Sequence, residues 1–213
     1  MKKNIVLFVL FILPIVAYLF FASGVNSFTK LPTITPKVAD FGNWKSLRGD
    51  VVRLDGKITV LAFSGTNLLA NRGNLFNLNQ KIYQRYHTFK DLQFVMLCPL
   101  GTEKEAQAVL DALKAFTDVK QWNFVFATPE EITNFYKQMH LKSQLDSNYG
   151  TSNVFIFDKE RNLRGRKDKE EYKEGYNTFH PAELSNEMLD DFKILLYEYK
   201  AALKKNNNAT KQL

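Results

Sequence analysis

A run of 18 residues without a charge, Ile5 to Ala22, restricts this chain more than any other feature; Lys2 and Lys3 precede it and the polar stretch Ser23 to Thr29 comes after it. A helix rises about 1.5 Å per residue, so such a run matches the hydrocarbon thickness of a bilayer and predicts one membrane helix. Pro14 does not forbid it, because helices in lipid tolerate proline. Two lysines before the span, with no matching cluster just after it, place the N-terminus in the cytoplasm and the remainder on the extracytoplasmic, periplasmic side. The competing reading is a cleaved signal peptide ending at Ala22-Ser23-Gly24. The run exceeds the roughly 7–15 residues of a signal core, which favours an uncleaved anchor.

The chain beyond the span has enough apolar content for a core, since 45% of the 213 residues are hydrophobic and 14% aromatic. That supports one domain with appendages. The net charge of +7 is spread over Lys2-Lys3, Arg161 to Lys169 and Lys204-Lys205, with no basic helix carrying interleaved aromatics, so nucleic acid is not an expected partner. Residues 1–24 are read as anchor and 25–50, with Pro32 and Pro36 and little periodicity, as linker. Residues 51–203 are read as an α/β domain and 204–213 as a mobile polar tail.

Within the domain, Val51 to Leu54 and Ile58 to Phe63 flank Asp55-Gly56-Lys57, predicting a strand, a tight turn and a buried strand. Leu75, Leu78, Ile82 and Tyr86 fall at helical spacing over roughly Asn74 to Tyr86. Leu92 to Cys98, apolar apart from Gln93, suits a strand covered on both faces. Thr102 with Glu105 predicts a capping box ahead of a second helix. Trp122 to Ala127 reads as a strand, and Thr128-Pro129-Glu130-Glu131 as another helix start. Asn153 to Phe157 and Leu163 to Arg166 read as a hairpin, and a last helix starts near Ser185, with Leu184 and Leu189 as its staple. Strands alternating with helices predict an α/β fold with a partly parallel sheet.

In this order the chain resembles the Sco/SenC family, thioredoxin-fold proteins that deliver copper to, or reduce, the binuclear copper centre of cytochrome c oxidase. The resemblance runs from Val51 to Lys200 and includes the anchor. It is carried by Leu54-Asp55-Gly56-Lys57-Ile58-Thr59-Val60-Leu61-Ala62-Phe63, by Leu92-Gln93-Phe94-Val95, and by Thr151-Ser152-Asn153-Val154-Phe155-Ile156-Phe157-Asp158 before Leu163-Arg164-Gly165. It implies a thioredoxin-like fold, a mixed central sheet flanked by helices. The family's chemistry uses a Cys-x-x-x-Cys-Pro loop after the second strand and a histidine before the hairpin, soft ligands suited to copper(I). Here Leu68 and Arg72 stand at the two cysteine positions and Gly150 at the histidine position. The resemblance therefore implies a degenerate member, with no copper cofactor and no dithiol catalysis, kept as an accessory or docking factor for an oxidase subunit or an active Sco-like relative.

The remaining candidates are few. Cys98 is the single cysteine, so no internal disulfide can form, and burial as a small apolar residue is the plainer reading of it. A copper carrier using displaced ligands would need Cys98, Met139 and His180 to converge. Thiol exchange would need Cys98 to pair with another protein's thiol. The long segment Arg166 to Phe179, closed by His180-Pro181, is a candidate partner surface through Tyr172, Tyr176, Phe179 and His180. Phosphate-loop, serine-nucleophile and zinc-spacing motifs are absent from the sequence.

Overall fold

The computed structural model describes residues 8, 10–16, 30–168 and 170–210. They divide into two compact units, Met1–Lys30 and Leu31–Leu213. In the first, residues 10–16 are helical, and Leu10, Phe11, Leu13, Ile15 and Val16 are each more than half exposed. Most of the expected membrane span lies outside the described residues. Among the described residues, no helix is long and apolar enough to cross a membrane.

The second unit is a mixed α/β layer structure. Its strands are β1 (Thr33–Thr35), β2 (Lys45–Ser46), β3 (Ile58–Ser64), β4 (Leu92–Pro99), β5 (Trp122–Ala127), β6 (Gly150–Phe157), β7 (Leu163–Arg164), β8 (Lys167–Asp168), β9 (Glu171–Tyr172) and β10 (Tyr176–Asn177). The main sheet runs β1-β7-β6-β3-β4-β5-β2, with β10 paired to β6; β8 and β9 form a separate hairpin. The pairs β3–β4 and β4–β5 are parallel, and β6 runs antiparallel to β3. The parallel strands are mostly apolar because both faces are covered, with Thr59, Gln93 and Asn123 as interruptions, and alternate side chains feed two cores. Ile58, Val60, Leu92, Phe94, Met96 and Cys98 enter one layer; Leu61, Phe63, Val95, Leu97, Phe155 and Phe157 enter the other.

Three helices cross the sheet connections. α1 (Arg72–Leu78) continues through a π turn at Asn79–Tyr83 into a final turn at Gln84–Tyr86; α2 is Glu103–Lys114 and α3 is Pro129–Gln138. α4 (Leu189–Thr210) is preceded by a helical turn at Pro181–Glu183 and a π turn at Leu184–Met188. The predicted box at Thr128 forms: its hydroxyl accepts the Glu131 N–H, and the Glu131 carboxylate accepts the Thr128 N–H at 2.8 Å. The one predicted at Thr102 does not. Thr102 Oγ1 donates to the Pro99 carbonyl at 2.7 Å and Glu105 accepts the Leu69 N–H, so the turn after β4 and the loop after β3 take both groups.

Other boundaries move. The stretch expected as linker, 25–50, belongs to the compact unit from Leu31 onward. Val38 and Phe41 are buried, β1 pairs with β7, and β2 pairs with β5. Short edge strands beside prolines carry no readable alternation, which is why periodicity missed them. Val51 to Leu54 is not a strand beyond one bridge, Lys45 to Val51. The Asp40 carboxylate accepts the Leu54 N–H at 2.6 Å and Gln93 donates to the Arg53 carbonyl, so side chains satisfy this backbone in place of a ladder. The last helical run begins at Pro181, and the expected tail continues α4 to Thr210.

Candidate functional site

The loop after β3 and the start of β6 meet at two glycines. Gly65 has a left-handed φ of 66°, and a Cβ there would lie 2.9 Å from the Asn148 carbonyl oxygen. A Cβ on Gly150 would lie 3.1 Å from both the Gly65 Cα and the Gly65 nitrogen. The two backbones are therefore in contact with no room for side chains between them. The turn that delivers Gly150 is held by Asp146, whose Oδ1 accepts the N–H groups of Asn148 and Gly150 at 2.8 Å each. Thr66 N–H donates to the Asn148 carbonyl, which ties the two loops together.

Beside this contact lies a cavity of about 460 Å³. Leu68, Leu75, Leu78, Met96 and Val154 give it an apolar floor, while Asn71, Asn74, Gln144 and Phe179 stand among its other lining residues. Leu68 and Gly150 both line it. Leu68 is buried at 1% exposure; Arg72 opens α1 on the surface and is not among the lining residues. Of the three positions at which the resemblance would place ligands, one is core, one is solvated, and one is packed backbone.

Cys98 is fully buried among apolar side chains of the first layer, and burial pushes its thiol up to about 12, against a smaller lowering by the Ser64 hydrogen bond. A thiol so placed is a poor nucleophile at neutral pH. Met139 is buried in the opposite layer, and His180 is exposed ahead of the last helical run. The structure does not gather these three. Among the described residues, no group of three or more His, Cys, Asp and Glu side chains could hold a metal ion.

The candidate partner surface is also divided. Tyr172 and Phe179 are exposed, at 48% and 58%, and so is His180, which follows Phe179 in the chain. Tyr176 is not on that surface. It is fully buried, and its hydroxyl donates to Asp191 Oδ2 at 2.5 Å, while Arg166 donates to the same carboxylate at 2.8 and 3.0 Å. Burial first, and the facing Asp191 charge second, push its phenol well above the ordinary tyrosine value. The cause is its pairing: β10 adds to β6 through Tyr176, and here that places the side chain in the core. Sequence reading missed Asn71, Asn74, Gln144 and Met96 as cavity residues. Only the asparagines near Leu68 hinted at a polar rim.

No family model matches the sequence, and no curated protein does. Solved structures do share its fold. A candidate protein disulfide isomerase from Bacteroides thetaiotaomicron superposes with a TM-score of 0.54 at 12% identity, covering 79% of this chain and 95% of that one. A candidate electron transfer protein from Aquifex aeolicus VF5 gives 0.52 at 17% identity, over 78% and 92%. BsSco, a member of the Sco family of cytochrome c oxidase assembly proteins, gives 0.51 at 15% identity, over 76% and 92%. At these identities the likeness is one of architecture, and the chain has the thioredoxin-like fold that Sco proteins and thioredoxin-like oxidoreductases share.

Proposed function

We propose that the protein is a membrane-anchored, extracytoplasmic Sco-like protein in which the copper and redox site has been replaced, and that it serves as a non-catalytic docking factor in respiratory cytochrome oxidase assembly. The observation that supports this reading is what stands at the three positions where the resemblance would put ligands. Leu68 is core, Arg72 is solvated, Gly150 is packed on Gly65, and the one thiol is sealed in the sheet. Copper(I) exchange and disulfide chemistry both need accessible sulfur, which this arrangement does not offer. The oxidase assignment draws on the fold shared with BsSco. Anchoring draws on the uncharged run Ile5 to Ala22 and on the outward apolar side chains of residues 10–16.

The test is a titration of the full chain, reconstituted in nanodiscs, with copper(I) against a competing chelator. No copper should leave the chelator; stoichiometric tight binding would overturn the proposal. Topology is read separately, with a membrane-impermeant maleimide on intact cells carrying Ser147→Cys, an exposed position. Labelling from outside is expected, and labelling only after lysis would refute the orientation.

A further inference from the structure

The cavity beside Gly65 and Gly150 differs in its chemistry from a metal or anion site. Among its described lining residues Asp146 is the only ionisable one, and its Oδ1 is already committed to the Asn148 and Gly150 N–H groups. Among the described residues no arginine, lysine or histidine lines it, so a phosphate or carboxylate would find no counter-charge there. Met96 is the one soft donor among the described lining residues, too few for a soft metal. What remains is an apolar floor, the hydroxyls of Ser64, Thr151, Ser152 and Thr178, and three carboxamides, Asn71, Asn74 and Gln144. None of the three makes a side-chain hydrogen bond to another described residue. Each carboxamide offers a donor and an acceptor, as a peptide unit does. Phe179, 58% exposed, adds apolar surface beside them.

We infer that this cleft takes an uncharged peptide segment of a partner protein, with one large apolar side chain seated on Leu68, Leu75, Leu78, Met96 and Val154 and its flanking peptide units bonded to Asn71, Asn74 and Gln144. The inference rests on the docking reading above and names the chemistry of its contact. A volume of about 460 Å³ is within the range of sites that enclose a ligand of this kind. Met96, with an unbranched and polarisable side chain, allows the floor to adapt to more than one apolar group. Phe179 would be covered by the segment's backbone, as aromatic residues commonly are at the centre of interfaces.

The experiment uses the full chain in nanodiscs with methyl-labelled Leu, Val and Met, and N-acetyl-L-phenylalaninamide as the probe. Three comparators share its ring: 3-phenylpropanoate, 2-phenylethylammonium and 3-phenylpropan-1-ol. The amide should shift the Leu68, Leu75 and Met96 methyls saturably, with a dissociation constant on the order of 1 mM for a ligand of that size. The comparators should bind at least about tenfold more weakly, because charge has no partner and the alcohol lacks the peptide pattern. Leu68→Trp should abolish the shifts while the Leu61 and Val95 methyls of the opposite layer keep their positions. Asn74→Leu should weaken the amide severalfold and leave the floor intact. Equal binding of a charged analogue or of the alcohol, an absence of saturable shifts, or shifts that persist in Leu68→Trp would each overturn the inference. A copper(I)-binding chain that still takes the amide would sink the docking reading and leave the cleft assignment standing; a copper-inert chain that ignores the amide would do the reverse.

Discussion

Replacing Gly65 by alanine should be the costliest alanine substitution among the glycines at the cleft, and the structure sets the scale. The left-handed backbone at φ 66° costs an L-residue about 1–2 kcal/mol. The added methyl meets the Asn148 carbonyl at 2.9 Å, and relieving an overlap with backbone costs about 1–3 kcal/mol more. The sum is about 2–5 kcal/mol. Gly150→Ala meets only the overlap, at 3.1 Å from the Gly65 backbone, and should cost about 1–3 kcal/mol. Gly73, in α1 with nothing within 4 Å of its added methyl, should gain about 0.5 kcal/mol as alanine. Because the two site substitutions push the same pair of backbones apart, the Gly65→Ala/Gly150→Ala double variant should cost less than the sum of the singles. Urea unfolding followed by the fluorescence of the buried Trp122 measures all four. A Gly65→Ala variant within about 0.5 kcal/mol of the parent, or strict additivity of the pair, would refute the backbone-contact account. The same geometry extends to Gly150→His: the Cβ clash comes with any side chain, so placing an imidazole at this position should destabilise the protein.

Three further outcomes are expected. Arg164 is nearly buried, donates to the Leu31 carbonyl, and pairs with Asp158 and Glu198 at 2.8 Å each, so Arg164→Met strands two shielded carboxylates and should cost about 3–5 kcal/mol in urea unfolding. Parental stability in that variant would show that residues 31–35 are not held as described. Cys98 should resist a thiolate-specific reagent at pH 8 and react only as fast as the protein unfolds, because a thiol near 12 leaves about one molecule in ten thousand ionised; reaction within mixing time would contradict its burial. The Thr128 N–H, first among its partners, holds the exposed Glu131 carboxyl below its ordinary value. Its stabilising effect is therefore present above that ordinary value and lost as pH falls through the lower folded one. Glu131→Gln should cost a few tenths of a kcal/mol at pH 7, with the gap to the parent closing below about pH 4; a gap that widens in acid would contradict the capping geometry.

The site could be read from sequence only where chemistry is written as residue type. The absence of paired thiols is a statement about composition, and Cys98 at the end of the apolar stretch Phe94 to Leu97 already pointed to burial. Tyr176 could not be separated from Tyr172 in this way. Both sit in one charged, tyrosine-rich segment, and what distinguishes them is the pairing of β10 onto β6, a contact between residues more than 20 apart in sequence. The cavity is similar: Leu68, Met96, Gln144 and Thr178 come from four separate segments, and no spacing relates them.

By itself the sequence determined the run Ile5 to Ala22, the main strand-helix alternation from Ile58 to Phe157, the buried parallel core and the presence of a single cysteine. Each of these arises from local composition or from a periodicity of two or 3.6 residues. The tertiary structure alone decided that residues 31–50 complete the sheet edges, that Asp40 replaces a ladder at Leu54, that Gly150 backs onto Gly65, and that Cys98 and Met139 lie on opposite faces. Those outcomes depend on which distant backbones come into contact, and packing between segments is not encoded in the spacing within any one of them.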